Sequence, residues 1–203
     1  MSFGRARGMA GAALTGYLLG ALPSADVAAR LGTAEPVDLR TAGSGNPGAL
    51  NARAVLGPGW GYAVMAADIA KGAAACRLGR LLAGTPGEHL AGTTAVIGHC
   101  YPAWSGFRGG KGVACSVGQC LATFPAYFPV DLGVAALTAA GPWRRRARAA
   151  TVVASLSWVG AATLWWRRGW PNPWGPAPGP GLPLAAAASS AVIMRRVLAP
   201  GRP

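Results

Sequence analysis

Charge in this chain is confined to short clusters separated by long uncharged apolar runs, and that arrangement limits the available folds more than any single motif. The runs are Gly8 to Ala25, Ala54 to Ala67, His89 to Phe107, Gly112 to Val130 continuing past Asp131 to Trp143, Ala149 to Trp166, and Gly169 to Met194. One bilayer crossing takes about 20 apolar residues. The run Ala54 to Ala67 therefore has to extend through Asp68 and Lys71 toward Ala75. Only 12% of the 203 residues are charged and 52% are hydrophobic, whereas soluble domains carry about 25% charge. Those proportions exclude a water-soluble fold and a disordered chain, and no three-residue Gly period signals collagen. What remains is an all-α protein, a polytopic membrane helix bundle of about seven transmembrane helices, in a single domain over residues 1–203. The stretch from Gly112 to Trp143 carries Pro125 and Pro129 near its middle and reads either as one kinked span or as two short ones.

Nineteen Lys and Arg against six Asp and Glu give a net charge of +13. In a soluble protein such an excess would suggest nucleic acid. Here the cations sit at the ends of apolar runs, as in Arg144, Arg145, Arg146 and Arg148 or Arg167 and Arg168, where they orient helices and attract anionic headgroups. No nucleic-acid partner is expected. Two loops rich in polar residues, 40–57 and 98–113, follow the first and third spans and so share a side. If the Gly112 to Trp143 stretch crosses twice, eleven cations fall on that side and six on the other. The excess of positive charge places the loops in the cytoplasm. The four cysteines form no C-x-x-C pair, so no metal site is expected and the thiols read as small buried residues.

The first loop runs Gly43-Ser44-Gly45-Asn46-Pro47-Gly48 and continues to Asn51 and Arg53. Glycines at that spacing let backbone N–H groups converge on an anion, and they equally suit a tight turn. The second loop holds His99, Arg108 and the run Gly109-Gly110-Lys111-Gly112, which sets an ammonium beside flexible backbone. Its spacing is not that of a Walker A loop. Asp68 and Lys71 stand three apart on one helix face within an apolar span, where charge is costly, and read as an ion pair that is either structural or functional. Asp26 is set four residues before Arg30 and invites a similar pairing. No Ser–His–acid arrangement, paired carboxylates or Gly-x-Ser-x-Gly elbow is present. Donors and cations of this kind suit a phosphate group and stabilise charge on a group in transfer.

Tyr17 to Pro23, Gly43 to Ala49 with Asn51, Asp68-Ile-Ala-Lys71-Gly72, and Gly98-His99 followed by Phe107 to Ala114 occur in an order that resembles the acyl-phosphate-dependent glycerol-3-phosphate acyltransferases. These are small integral membrane proteins of bacterial phospholipid synthesis, and the resemblance covers roughly residues 17 to 120. It implies transfer of a fatty acyl group from acyl phosphate to the 1-hydroxyl of glycerol 3-phosphate, with no cofactor. It also implies a multi-pass protein of the plasma (inner) membrane, in contact with membrane lipids and linked to an enzyme that forms acyl phosphate. Carried over, Ser44, His99 and Lys111 are catalytic. Gly43, Gly45, Asn46, Gly48, Asn51, Arg53, Arg108, Gly109 and Gly110 hold substrate or phosphate, Asn51 by positioning the loop and the Gly109 and Gly110 amides as part of an anion clamp. The chain departs from the pattern at Leu50, at Ala54 with Arg53 one place early, and at Ile193 to Leu198, which lacks the His and Asn of the family's last motif. Two other readings accompany this one: a divergent member with another acceptor or a lipid-precursor binding role, and a small anion transporter.

Overall fold

The structure is a computed structural model that describes residues 3–35, 37–140 and 146–199. Arg144, Arg145 and Arg202, counted above for sidedness, lie outside the described residues. Among those described, the chain is helical, with α1 (Phe3–Gly20), α2 (Ser24–Gly32), α3 (Ala49–Leu56), α4 (Pro58–Cys100), α5 (Val113–Thr123), α6 (Phe128–Ala140), α7 (Arg146–Arg168) and α8 (Gly181–Leu198). Helix α4 is two limbs joined at a sharp kink, where Ala83 leaves helical geometry and Gly84 takes φ 63°. Only glycine adopts that conformation without strain. The limbs then pack back on each other through Gly79 and Gly87, each of whose missing side chains is replaced by the other's carbonyl.

Small residues set the remaining contacts. Gly16 and Gly20 of α1 lie against Ala91 and Ala95, and Gly98 lies against Tyr17 and Ala21, so α1 runs parallel to the second limb of α4. Where lipid tails are as apolar as the helices, close approach of backbones through Gly and Ala supplies the packing energy. Gly72 and Gly118 seat α5 on the first limb, and Ser189 of α8 donates to Gln119 of α5 at 2.8 Å. One core gathers Ala75, Val96, Cys100, Cys115 and Ile193, and a second, aromatic one holds Phe124, Tyr127, Trp158 and Leu182.

The Gly112 to Trp143 stretch resolves into two helices that part at Phe124 to Tyr127, with Pro125 in the break. The helix in the Gly8 to Ala25 run is α1, which starts earlier, at Phe3, and stops at Gly20; the chain turns through Leu22 and Pro23, and Ser24 starts the separate helix α2. Among the described residues, two helices, Arg148–Arg168 and Gly181–Leu198, are long and apolar enough to cross a membrane by length and composition. Both polar loops gather at one end of the bundle with the C-terminal end of α8, since Arg40 reaches the carbonyl of Arg108 and Arg196 those of Gly109 and Gly110. The Pro-rich segment 170–180 closes the opposite end, where Trp174 donates to the carbonyl of Leu121.

Candidate active site

At the loop end of the bundle, Asp68 and Lys71 sit one helical turn apart with Nζ 2.8 Å from Oδ1, and they are only 2% and 7% exposed. Pro23 breaks α1 and leaves the carbonyl of Leu22 without a helical partner; Lys71 donates to it at 3.0 Å. Ser24 Oγ donates to Asp68 at 2.9 Å and lies 3.4 Å from Lys71 Nζ, so the ammonium has three acceptors for its three protons. A buried charge pair persists only when its remaining valences are met this way. His99 ends the second limb with Nδ1 3.6 Å from Asp68 Oδ1, beyond hydrogen-bond range, and that nitrogen is buried without a hydrogen-bond partner.

The first loop is built around the Asn51 side chain, 3% exposed. Its Oδ1 accepts from the Ser44 amide at 2.8 Å, and its Nδ2 donates to the carbonyls of Leu39 and Ala42 at 3.0 and 2.9 Å. Gly43 at φ 60° leaves space for that amide, which a side chain there would strike. Gly43, Ser44 and Gly45 stand exposed at the tip, Asn46 is half-buried and Gly48 buried. Arg53 is exposed, and its guanidinium lies 5.9 Å from the Tyr62 ring centroid.

In the second loop the Gly109 and Gly110 amides donate to the carbonyls of Cys100 and His99, at 3.2 and 3.0 Å. This differs from the expectation that these two amides form an anion clamp. The last turn of α4 has free carbonyls, and the loop caps them. Arg196 receives the same two glycines from the other side, donating to both of their carbonyls while stacking over Tyr101 at 5.4 Å. Gly110 lies so close over His99 Nε2 that no side chain fits there. Arg108 and Lys111 are exposed.

Asp26 pairs with Arg40 and not with Arg30. Arg40 grips both carboxylate oxygens, at 2.6 and 3.1 Å, and adds bonds to the Arg108 carbonyl at 2.8 Å and to Asp38 at 3.5 Å. The carboxylates hold its guanidinium above the usual arginine range, with Asp26 the main cause. An inner cavity of about 30 Å³, lined by Asp68, Lys71, His99, Gly109 and Gly110, lies behind this pair, and an open cleft of about 530 Å³ lies before it.

Asp68, Lys71, His99, Gly109 and Gly110 are thus brought together, while Arg108 lines the outer cleft and Ser44, Arg53 and Lys111 are exposed and line neither the cavity nor the cleft. Sequence reasoning missed Ser24, Arg40 and Arg196 as site residues. The Pro-Ser step after the first span and the Asp-x-Arg before the Gly-rich loop were the available signals.

A family model described as glycerol-3-phosphate acyltransferase matches residues 10–197, well past the stretch that the motifs cover. A glycerol-3-phosphate acyltransferase of Jannaschia sp. (strain CCS1) is 41% identical over 154 residues, which are 75% of this chain and 73% of that one. One of Synechococcus sp. (strain JA-3-3Ab) is 40% identical over 166 residues, 80% of this chain and 77% of that one. Among solved structures, PlsY (YgiH), described as an integral membrane glycerol 3-phosphate acyltransferase, is similar in its glycerol 3-phosphate form with a TM-score of 0.76 and 29% identity. That likeness covers 93% of this chain and 87% of that one. Its lysophosphatidic acid form gives a TM-score of 0.74 at 27% identity.

Proposed function

The chain belongs to the glycerol-3-phosphate acyltransferase family, and from that membership we propose a reaction, a site and a setting for it. It is a membrane acyltransferase of phospholipid synthesis that acylates glycerol 3-phosphate. The donor we assign is acyl phosphate. The 1-hydroxyl oxygen bonds to the acyl carbon, the acyl–phosphate bond breaks, and the departing phosphate carries off the hydroxyl proton. Lysophosphatidic acid and inorganic phosphate result, and no cofactor takes part. The chain acts as one domain over residues 1–203, crosses the bacterial plasma membrane several times with the loop end in the cytoplasm, and draws its donor from an acyl-phosphate-forming enzyme.

The observation that carries the reading is the convergence of both Gly-rich loops on one buried Asp68–Lys71–His99 cluster at a single end of the bundle. The Ser44 hydroxyl and the Asn46 side chain offer neutral donors to one phosphate beside Gly43; the Gly45 and Gly48 amides, expected to join them, donate instead to the carbonyls of Ala42 and Asn46 and with Asn51 fix the loop's geometry. Arg108 and Lys111 supply exposed cations to the anionic leaving group, and Arg53 adds charge at the rim. His99, packed under Gly110, orients the reacting groups from below. Catalysis of this kind rests on proximity and charge stabilisation.

The test is inorganic phosphate release by the purified protein given palmitoyl phosphate, with and without glycerol 3-phosphate. Release that needs both substrates and falls about 100-fold in Lys111→Ala, the scale of losing one transition-state donor, supports the assignment. Turnover by Lys111→Ala equal to wild type removes that residue from the mechanism. Uptake of intact glycerol 3-phosphate into proteoliposomes without phosphate release would favour transport.

A further inference from the structure

The inner cavity is small, about 30 Å³, room for one or two waters on the measure by which the cleft before it is many times larger. The outer cleft, about 530 Å³, has ample room and is lined by Arg30, Arg40 and Arg108 against Asp26 and Asp38. The walls of the two have three residues in common, Asp26, Arg40 and Trp104. The barrier between cleft and cavity is therefore made of side chains. Arg40 ties it shut, bridging α2 through Asp26 and the second loop through the Arg108 carbonyl.

The bidentate contact to Asp26 is the geometry by which a guanidinium receives a phosphate. A carboxylate in that position resembles the ligand it excludes. Asp26 is also the weaker claimant, because it carries one negative charge where a phosphomonoester carries close to two at neutral pH. We infer that Arg40 is a phosphomonoester-binding residue held in reserve by Asp26, and that the incoming substrate displaces this carboxylate and joins the cleft to the inner cavity. Binding and opening are then one event, since a ligand shifts such an equilibrium only through its preference for the open state. This inference rests on the glycerol 3-phosphate reading for the identity of the ligand.

The test is calorimetric titration of the solubilised full-length chain with glycerol 3-phosphate, with inorganic phosphate and glycerol as controls and phosphate release measured in parallel. Arg40→Met should weaken glycerol 3-phosphate binding about tenfold or more, as expected for loss of a charged double hydrogen bond. Asp26→Asn removes the competitor and should tighten it. The double variant Asp26→Asn/Arg40→Met should bind as weakly as Arg40→Met alone. Inorganic phosphate should compete and glycerol should not. Recovery of wild-type affinity in the double variant would overturn the inference, because Arg40 would then serve only to neutralise Asp26. Weaker binding by Asp26→Asn with an unchanged melting temperature would overturn it as well. Binding without turnover in the wild type would defeat the acyltransferase reading and leave the Arg40 inference standing on its affinities. Absence of glycerol 3-phosphate binding would defeat both.

Discussion

Asn51 shows how one side chain fixes a loop. Its amide satisfies the Ser44 N–H and two carbonyls, and an alanine would strand the buried Leu39 carbonyl while the Ala42 carbonyl keeps the Gly45 amide and the exposed Ser44 N–H turns to water. Each unpaired buried backbone group costs about 1 to 3 kcal/mol. Asn51→Ala should therefore lower stability by about 1 to 3 kcal/mol in a thermal or denaturant melt, with activity falling further because Ser44 loses its position. The Asp68–Lys71 pair behaves differently. Lys71→Met leaves the Asp68 carboxylate buried with one hydrogen bond, from Ser24, and His99 Nδ1 at 3.6 Å, and should cost about 3 to 5 kcal/mol. Adding Asp68→Asn removes the stranded charge and should recover most of that stability. If the pair also serves chemistry, phosphate release stays low in the refolded double variant; a double variant with wild-type turnover would make the pair structural. That Asp68 and Lys71 touch was legible from their three-residue spacing. That Asp26 chooses Arg40 was not, because the i, i+4 rule scores local neighbours and Arg40 arrives from a loop.

Among the elements, Pro125 and Pro129 left one kinked span or two open, and the structure breaks at Pro125 with Pro129 in the first turn of α6; the first run, read through to Ala25, ends as α1 at Gly20, ahead of Pro23. The fold-back inside α4 was legible, since Gly84-Thr85-Pro86-Gly87 break a helix between two apolar runs, and the facing glycines Gly79 and Gly87 let the two limbs close on each other. Gly84→Ala should cost about 1 to 2 kcal/mol from its left-handed backbone alone. Gly20→Leu is the harsher change. A side chain at this position meets the backbone of Ala95, so α1 must part from the second limb of α4. Since α1 delivers Leu22 and Ser24 to Lys71 and Asp68, parting them should abolish glycerol 3-phosphate binding along with the packing. Retained affinity in a folded Gly20→Leu protein would show that the site does not depend on this interface.

For the whole molecule, the distribution of charge and the direction of each helix give one orientation. The loops that hold Ser44 and Ala103 meet at the end where α8 finishes in Arg195 and Arg196, and segment 170–180 occupies the other end. The orientation proposed above, with the loop end in the cytoplasm, is the one the positive-inside rule expects of that excess of cations. The four native cysteines are buried and free, so an impermeant maleimide has no competing target in the folded chain. Ala103→Cys and Ala177→Cys each introduce a thiol at an exposed position, one at each end of the bundle. In intact spheroplasts Ala177→Cys should label and Ala103→Cys should not, whereas in inverted membrane vesicles the pattern should reverse. A substrate made in the cytoplasm can reach the Arg40 cleft only with that orientation. Labelling of Ala103→Cys from outside would turn the protein over and require glycerol 3-phosphate to be supplied from the far side of the membrane.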